Sequence, residues 1–376
     1  MVELSGPRLQ VSRRQRATPY TSRVDALGVS GFSIVNHTIL PKGFQKSVAE
    51  DYWHLKTHVQ LWDVGCQRQV ELRGADAAKL TQMMTPRDLS RARVGQCLYA
   101  PLIDANAGML NDPIILKLAE DRYWLSIADA DILLWAMGLA QGLGLDVEVT
   151  EPDVWPLAIQ GPRADELAAC LFADELRSLP FFDFKVCDFN GEPVLIARTG
   201  FSKQGGFEMY PEGFPLAGAL WDALWQAGAD FEISPGNPNL IERVEGGLLS
   251  YGNEMTRAEN PLECDLGRYC QLDGSIDYIG REALLRIAES GPQRLIRGVI
   301  FDGDACPACQ HPWPISVDER QVGYVTTAIW SPRFERNVAL AMLDRGYWEA
   351  GIEVMVVTSE GLERRGIISD LPMADG

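Results

Sequence analysis

Apolar and polar positions along the chain change period several times, and those changes divide it. Residues 1–45 hold no sustained period, with Pro19 and Pro41 bracketing a short apolar patch, and read as irregular. Residues 46–60 (KSVAEDYWHLKTHVQ) carry helical spacing; QVELRG (69–74) alternates, and Asp76 then opens a helix over ADAAKLTQMM. From 97 to 127 the alternation predicts hairpins: CLYAPLID as one strand, ANAG as its turn, MLNDPIILKLA as the next strand, and EDR leading into YWLSIA. ADILLWAMGLAQG closes that unit as a helix near Gly142, and PLAIQGPRADELAACLF (156–172) predicts a strand, a Gly161-Pro162 turn and a helix. Strands at 193–198 and 206–210 precede a strongly periodic helix over 215–228, and another helix is expected at 239–251. SGPQR (290–294) separates all this from a β-rich tail (LIRGVIF, QVGYVTTAI, NVALAMLD, EVMVVTS) that reads as a small barrel of its own. No internal repeat and no low-complexity tract interrupts the pattern.

The length of 376 residues suggests two or three domains at about 150 residues each. Apolar residues at 46% and charged residues at 23% are those of an ordinary soluble protein. The formal charge of −18 argues against nucleic acid or an anionic membrane surface as a partner, because both need a basic face. A small anionic ligand needs only a few local cations and stays open. No stretch approaches the roughly 18 apolar residues of a membrane span, and the basic N-terminal segment lacks the apolar core of a secretory signal. Eight scattered cysteines do not form a disulfide framework. The expectation is a cytoplasmic protein with reduced thiols.

Several motifs have bland readings that outweigh the sharp ones. Cys306-Pro-Ala-Cys309 with His311 lacks the second pair of ligands a structural zinc needs, and reads as a surface loop. His54 and His58, four residues apart, read as a helix surface, and Asn36-His-Thr38 as an idle glycosylation acceptor. No phosphate-cradling loop or nucleophile elbow is present, and no metal is expected. Two clusters resist a core reading. Asn111-Asp112 sits inside an apolar run, where a carboxylate costs several kcal/mol unless it meets water, a ligand or donors. The segment from Gly200 to Tyr210 (GFSKQGGFEMY) combines glycines that let backbone approach a flat ligand, aromatic faces, and Glu208, which can accept two hydrogen bonds from a 2-amino-pyrimidine edge. A glycine-rich hairpin is the alternative.

These stretches resemble the folate-dependent aminomethyltransferase family, whose type member is the glycine-cleavage T-protein, and within it the tetrahydrofolate-dependent dimethylsulfoniopropionate demethylase branch. The resemblance runs from about residue 15 to the end, through NHTILP (36–41), LWDVGCQRQVEL (61–72), MMTPRDLS (83–90), the long run over 107–135, EPDVWPLAIQGPRADEL (151–167), TGFSKQGGFEMY (199–210), NPNLIERVEGGLLSYGNEM (237–255), WSPRF (330–334) and the terminal DLP. It implies an α+β fold of three lobes with folate in a central channel: a folate-binding region over 1–290, its second lobe at about 56–149, and a C-terminal β-barrel lobe over 291–376. It carries the family's pterin-binding glutamate to Glu208, its folate-contacting tyrosine to Tyr99, its arginine to Arg243, and the carboxylate near the reacting nitrogen to Asp112. An asparagine of the family falls on Ala130, so that contact is absent.

The implied chemistry is transfer of a methyl group from a sulfonium to N5 of tetrahydrofolate. The leaving group departs as a neutral thioether, so neither a metal nor a covalent nucleophile is required, and positioning contributes up to about 7–11 kcal/mol. Asp112 stabilises or receives the proton that N5 must lose. Tyr210, on the same strand face as Glu208, orients the donor or relays that proton. Phe201, Val35 and Leu98 stand where the demethylase branch carries Trp, Tyr and an aromatic, which makes the donor pocket roomier and less cation-binding. Arg333 is the candidate partner of a substrate carboxylate, with a surface-loop arginine as the plainer reading. The expected partners are a small sulfonium and folate, in a monomer or homodimer. The alternatives are demethylation of another sulfonium, betaine or methoxy donor, and a non-catalytic folate-binding regulatory protein.

Overall fold

In the computed structural model, which describes residues 12–374, prolines decide how the second lobe is built. The run expected as two long strands is four short ones: Cys97–Tyr99 pairs with Ile114–Ala119, and Leu102–Ile103 pairs with Met109–Asn111. Both arms break at the same level, at Pro101 and Pro113, which have no N–H to give a ladder. The Ala100 N–H donates instead to the Pro113 carbonyl at 3.0 Å. Asp112 therefore lies in the gap between two strands, not inside one.

The five-stranded sheet runs Glu148–Thr150, Gln69–Arg73, Arg122–Ser126, Ile114–Ala119, Cys97–Tyr99, all antiparallel. Helices Ala77–Met83 and Ile132–Gly142 pack on it through Leu80, Ile132 and Ala136, closing a core with Val70, Leu72 and Leu98. The six-stranded sheet runs Phe184–Phe189, Glu192–Ala197, Gly206–Tyr210, Leu157–Gln160, Gln60–Asp63, Ser234–Gly236, and only its last pair is parallel. Helices Ala164–Leu171 and Phe214–Ala227 bury their apolar stripes against it. The two sheets meet through Cys97, Leu116 and Trp124 on one side and Leu195, Ala197 and Tyr210 on the other. The tail is a closed six-stranded barrel over Arg294–Ser369. Two of its strands escape the periodicity: Trp313–Val317 contains Pro314, and Glu363–Ser369 opens on three charged residues.

The N-terminal reading needs correcting. Residues 21–41 hold a helix, Thr21–Ala26, and a hairpin of Phe32–Val35 with Thr38–Pro41. Its turn places Asn36 and His37 at φ 48° and 59°, the left-handed pair that a two-residue hairpin turn requires. Asn36 is structural: its amide donates to the carbonyls of Cys66 (3.1 Å) and Ala128 (3.0 Å) and accepts from the Ala130 N–H (3.1 Å), tying the hairpin to the second lobe. Residues 1–11 of the basic N-terminal segment, read as lacking the core of a secretory signal, lie outside the described residues. Helix Val48–Thr57 starts on a Ser47/Glu50 capping box, worth about 1 kcal/mol. The helix expected over 239–251 is only Leu240–Glu245, because Gly247 turns left-handed at φ 63°. A helix at Arg281–Ser290 was not anticipated.

Candidate functional site

The proline break puts Tyr99 and Asp112 side by side. The Tyr99 hydroxyl donates to Asp112 Oδ2 at 2.9 Å. Burial pushes the Asp112 carboxyl up to about 7; the Tyr99 bond and the residue's own backbone N–H oppose that rise, and the Glu254 charge adds to it. Asp63 makes a useful contrast, because burial lifts it to about 7 as well. Its two oxygens are satisfied by the Thr18 hydroxyl (2.6 Å) and the Gly65 N–H (3.0 Å), so its role is to hold a turn. Asp112 Oδ1 is shut from solvent and has no hydrogen-bond partner. A buried carboxyl whose pKa is raised toward neutrality, with one acceptor oxygen unpartnered among the described residues, is equipped for proton transfer near neutral pH. Since the tyrosine bond favours the ionised form, Tyr99→Phe is expected to raise the Asp112 pKa further; NMR titration of the carboxyl carbon checks this.

Glu208 comes from the strand Gly206–Tyr210 and is 5% exposed. Burial raises its pKa, while hydrogen bonds from Thr199, Gln67 and Tyr210 pull the other way. The Thr199 hydroxyl donates to Oε2, and the Tyr210 hydroxyl approaches the same oxygen at 3.5 Å. Tyr210 is fully buried, its ring 6.3 Å from Trp124 at the seam between the sheets. Its polar reach is therefore toward Glu208. The loop at 200–205 is braced from both sides: Ser202 donates to Gln160 Oε1 at 2.7 Å, and Gln204 donates to Glu242 Oε1 at 2.7 Å. Gly200, at φ 159°, lies directly over the Gln160 amide, where an added Cβ would come within 2.1 Å of Oε1. Glycine is needed there for close approach. Phe201 is half-buried in this loop.

Helix Leu240–Glu245, capped by Asn239, turns the acidic and basic side chains of Glu242, Arg243 and Glu245 inward. Glu242 meets Lys56 at 2.9 Å. Arg243 meets Glu254 at 2.7 Å and also donates to the Thr327 hydroxyl (3.0 Å) and the Leu248 carbonyl (3.1 Å). Glu245 accepts from Tyr52 (2.7 Å) and Ser331 (2.6 Å), with Arg333 at 3.5 Å. The helix thus joins the first lobe, the 200–205 loop and the barrel. Arg243→Ala would strand Glu254 as a buried charge and is expected to cost about 3–5 kcal/mol, measurable by denaturant unfolding.

The chain matches the model of the GCVT N-terminal domain over residues 11–274 and that of the glycine cleavage T-protein C-terminal barrel domain over 294–375. It belongs to the glycine-cleavage T-protein family. Within that family it is 50% identical, over 93% of its length and 95% of the relative's, to the dimethylsulfoniopropionate demethylase of Ruegeria pomeroyi. It is 33% identical to the aminomethyltransferase of Symbiobacterium thermophilum, over 83% and 85% of the two chains. The crystal structure of the glycine cleavage system aminomethyltransferase T from Bartonella henselae superposes with a TM-score of 0.82 at 22% identity, covering 96% and 98% of the two chains, which establishes the fold.

Against this T-protein fold the expected site residues fall into groups. Tyr99 and Asp112 touch, and Glu208 and Tyr210 touch. Arg243 bonds to neither pair; it works within the helix that ties the lobes together. Arg333 lies by that helix too, with its guanidinium 4.9 Å from the Phe334 ring centre. Leu98 is a correction: it is 5% exposed in the core of the second lobe, because strand alternation turns it to the face opposite Tyr99. Val35 is half-buried at the hairpin end. Cys306 and Cys309 are half-buried against the barrel core, so the loop is not simply a surface one. His54 and His58 stack at 4.9 Å and both reach Glu232. A cleft lined by Thr38, Arg68, Glu151 and Trp155 holds none of the site residues, and Arg16 and Arg68 both pair with Glu151 there. Thr199, Gln67, Gln160, Gln204 and Glu254 were not anticipated; Gln160 and Gln204 meet partners 42 and 38 residues away, while Thr199 and Glu254 meet Glu208 and Arg243 only 9 and 11 residues away.

Proposed function

We propose that this chain is a tetrahydrofolate-dependent methyltransferase that demethylates dimethylsulfoniopropionate, giving methylmercaptopropionate and 5-methyltetrahydrofolate. The observation that carries the chemistry is Asp112, with its raised pKa and one unpartnered buried oxygen beside the Tyr99 hydroxyl. The identity of 50% to a demethylase of that substrate supports the choice of donor. The reading includes the division into a folate-binding region over 1–290 and a barrel lobe over 291–376, a cytoplasmic setting, and a monomer or homodimer.

The residues present fit a reduced folate. Glu208 offers a buried carboxylate to a 2-amino-pyrimidine edge, and Gly205, where an added Cβ would meet nothing within 4 Å, leaves the braced loop's backbone open to a flat ring. Bound tetrahydrofolate supplies N5 as the methyl acceptor. Asp112 accepts the proton released when N5 is alkylated, and Tyr99 orients its carboxylate. Tyr210, buried beside Glu208, is the candidate relay or donor-orienting group. Phe201 presents an aromatic face to the sulfonium, weaker than a tryptophan would give. Arg243 holds the wall at the folate site through Glu254, and Arg333 is the partner offered to the donor carboxylate.

Because Asp112 acts as an acceptor, its ionised form is the active one. Free-enzyme kcat/KM is expected to rise with pH on a limb centred near the Asp112 value of about 7. A donor panel under anaerobic conditions tests the substrate: dimethylsulfoniopropionate is expected to turn over, whereas a bulkier sulfonium, betaine or methoxy compound turning over alone would reassign the donor. Folate binding with no donor used would favour a regulatory protein. Phe201→Trp is expected to lower the donor KM by about two- to five-fold, the added cation–π attraction being about 0.5–1 kcal/mol.

A further inference from the structure

Two arginines that meet the Tyr269 ring have no acidic partner among the described residues. Arg87, in the turn after helix Ala77–Met83, lies with its guanidinium 5.3 Å from the centre of the Tyr269 ring. Arg268 lies 4.8 Å from the same centre. The Tyr269 ring in turn meets Tyr99 edge-on at 5.0 Å, and Tyr99 holds Asp112. Arg87 donates once, to the Tyr99 carbonyl, and its other N–H groups are not sealed from solvent. Arg268 is exposed and makes no hydrogen bond or ion pair among the described residues.

Two guanidiniums that both meet the Tyr269 ring leave forked donors for a carboxylate arriving at that ring. The acids nearby in the chain are turned elsewhere. Asp88 accepts from the Ser90 N–H at 2.8 Å, and Asp273 accepts from the Ser275 N–H and the Gln271 amide, each at 2.8 Å. In a chain of net charge −18, two guanidiniums set against one ring, and linked through Tyr269 and Tyr99 to Asp112, are a local exception.

We infer that Arg87, Arg268 and Tyr269 form a carboxylate-binding subsite that takes the glutamyl tail of the folate. Tyr269 supplies a flat apolar face for the tail's approach, and the two guanidiniums supply forked donors for its carboxylates. The inference rests on the folate reading above. The donor's carboxylate is the other source of the same chemistry, and the test separates the two.

The experiment compares tetrahydrofolate carrying one and three glutamates, by anaerobic fluorescence titration at low and high salt, alongside the donor KM. Wild-type protein is expected to prefer the longer tail, and salt to weaken that preference. Arg268→Ala is expected to weaken triglutamate binding by about two- to five-fold, the range of an exposed ion pair, and to leave the donor KM unchanged. Arg268→Glu is expected to weaken it further, and Arg87→Lys, which keeps the charge and loses the fork, to retain only part of the preference. A raised donor KM with unchanged folate binding keeps the carboxylate subsite and overturns the tail assignment. Binding and donor KM both unmoved overturn the subsite alone. Wild-type protein that binds neither folate overturns the functional reading and this subsite with it.

Discussion

Asp112→Ala is expected to lower methyl transfer by about 100- to 10,000-fold, the usual contribution of a positioned proton acceptor, while folate binding changes little. The split follows from where the carboxyl stands. Its Oδ2 is occupied by the Tyr99 hydroxyl and its Oδ1 is free, so its removal takes away the proton's destination and leaves the Glu208 side of the site intact. The structural cost is confined to the Tyr99 hydroxyl, which loses its partner, since burial already disfavours the ionised form of Asp112. Single-turnover kinetics and a folate titration on the same variant measure both halves. Equal loss of transfer and binding would make Asp112 a binding residue, and no loss of either would make it a packing residue.

Glu208→Gln is expected to do the opposite. A hydrogen bond to a charged group is worth about 1.5–3 kcal/mol, so folate affinity should fall by about 10- to 100-fold. Transfer from the bound complex should be affected less. The amide keeps an oxygen for the Thr199 hydroxyl, which limits structural damage, but it brings N–H groups to face the donors of a pterin edge. The pair of variants therefore separates holding the folate from accepting its proton, with loss in Kd for one and in kcat for the other.

Much of the fold was legible because it depends on local pattern. The helices at 77–83, 132–142 and 214–227 and the strands at 69–73, 157–160 and 206–210 lie where periodicity placed them. The pattern misled where one backbone feature overrode it. Pro101 and Pro113 cut two apparent strands, Gly247 ended a helix early, and Asn36-His37 turned a stretch read as irregular into a hairpin. Asp112 stood out in the sequence as a carboxylate in an apolar run, and that run proved to be the break between strands. Glu208 stood out among glycines and aromatics. The supporting residues were not legible. The Gln160–Ser202 and Gln204–Glu242 bonds link positions 42 and 38 residues apart, and no spacing rule connects an isolated glutamine to such a partner. Leu98 was misplaced because its neighbour Tyr99 faces the site, and adjacent strand residues face opposite ways.

The most direct test of the account follows the methyl group itself. Purified protein is mixed anaerobically with tetrahydrofolate and dimethylsulfoniopropionate deuterated in its methyl groups, and the folate and thioether products are read by mass spectrometry. The account predicts one deuterated methyl group on 5-methyltetrahydrofolate for each methylmercaptopropionate formed. Thioether appearing without label in the folate, or folate bound with the donor left intact, would contradict it.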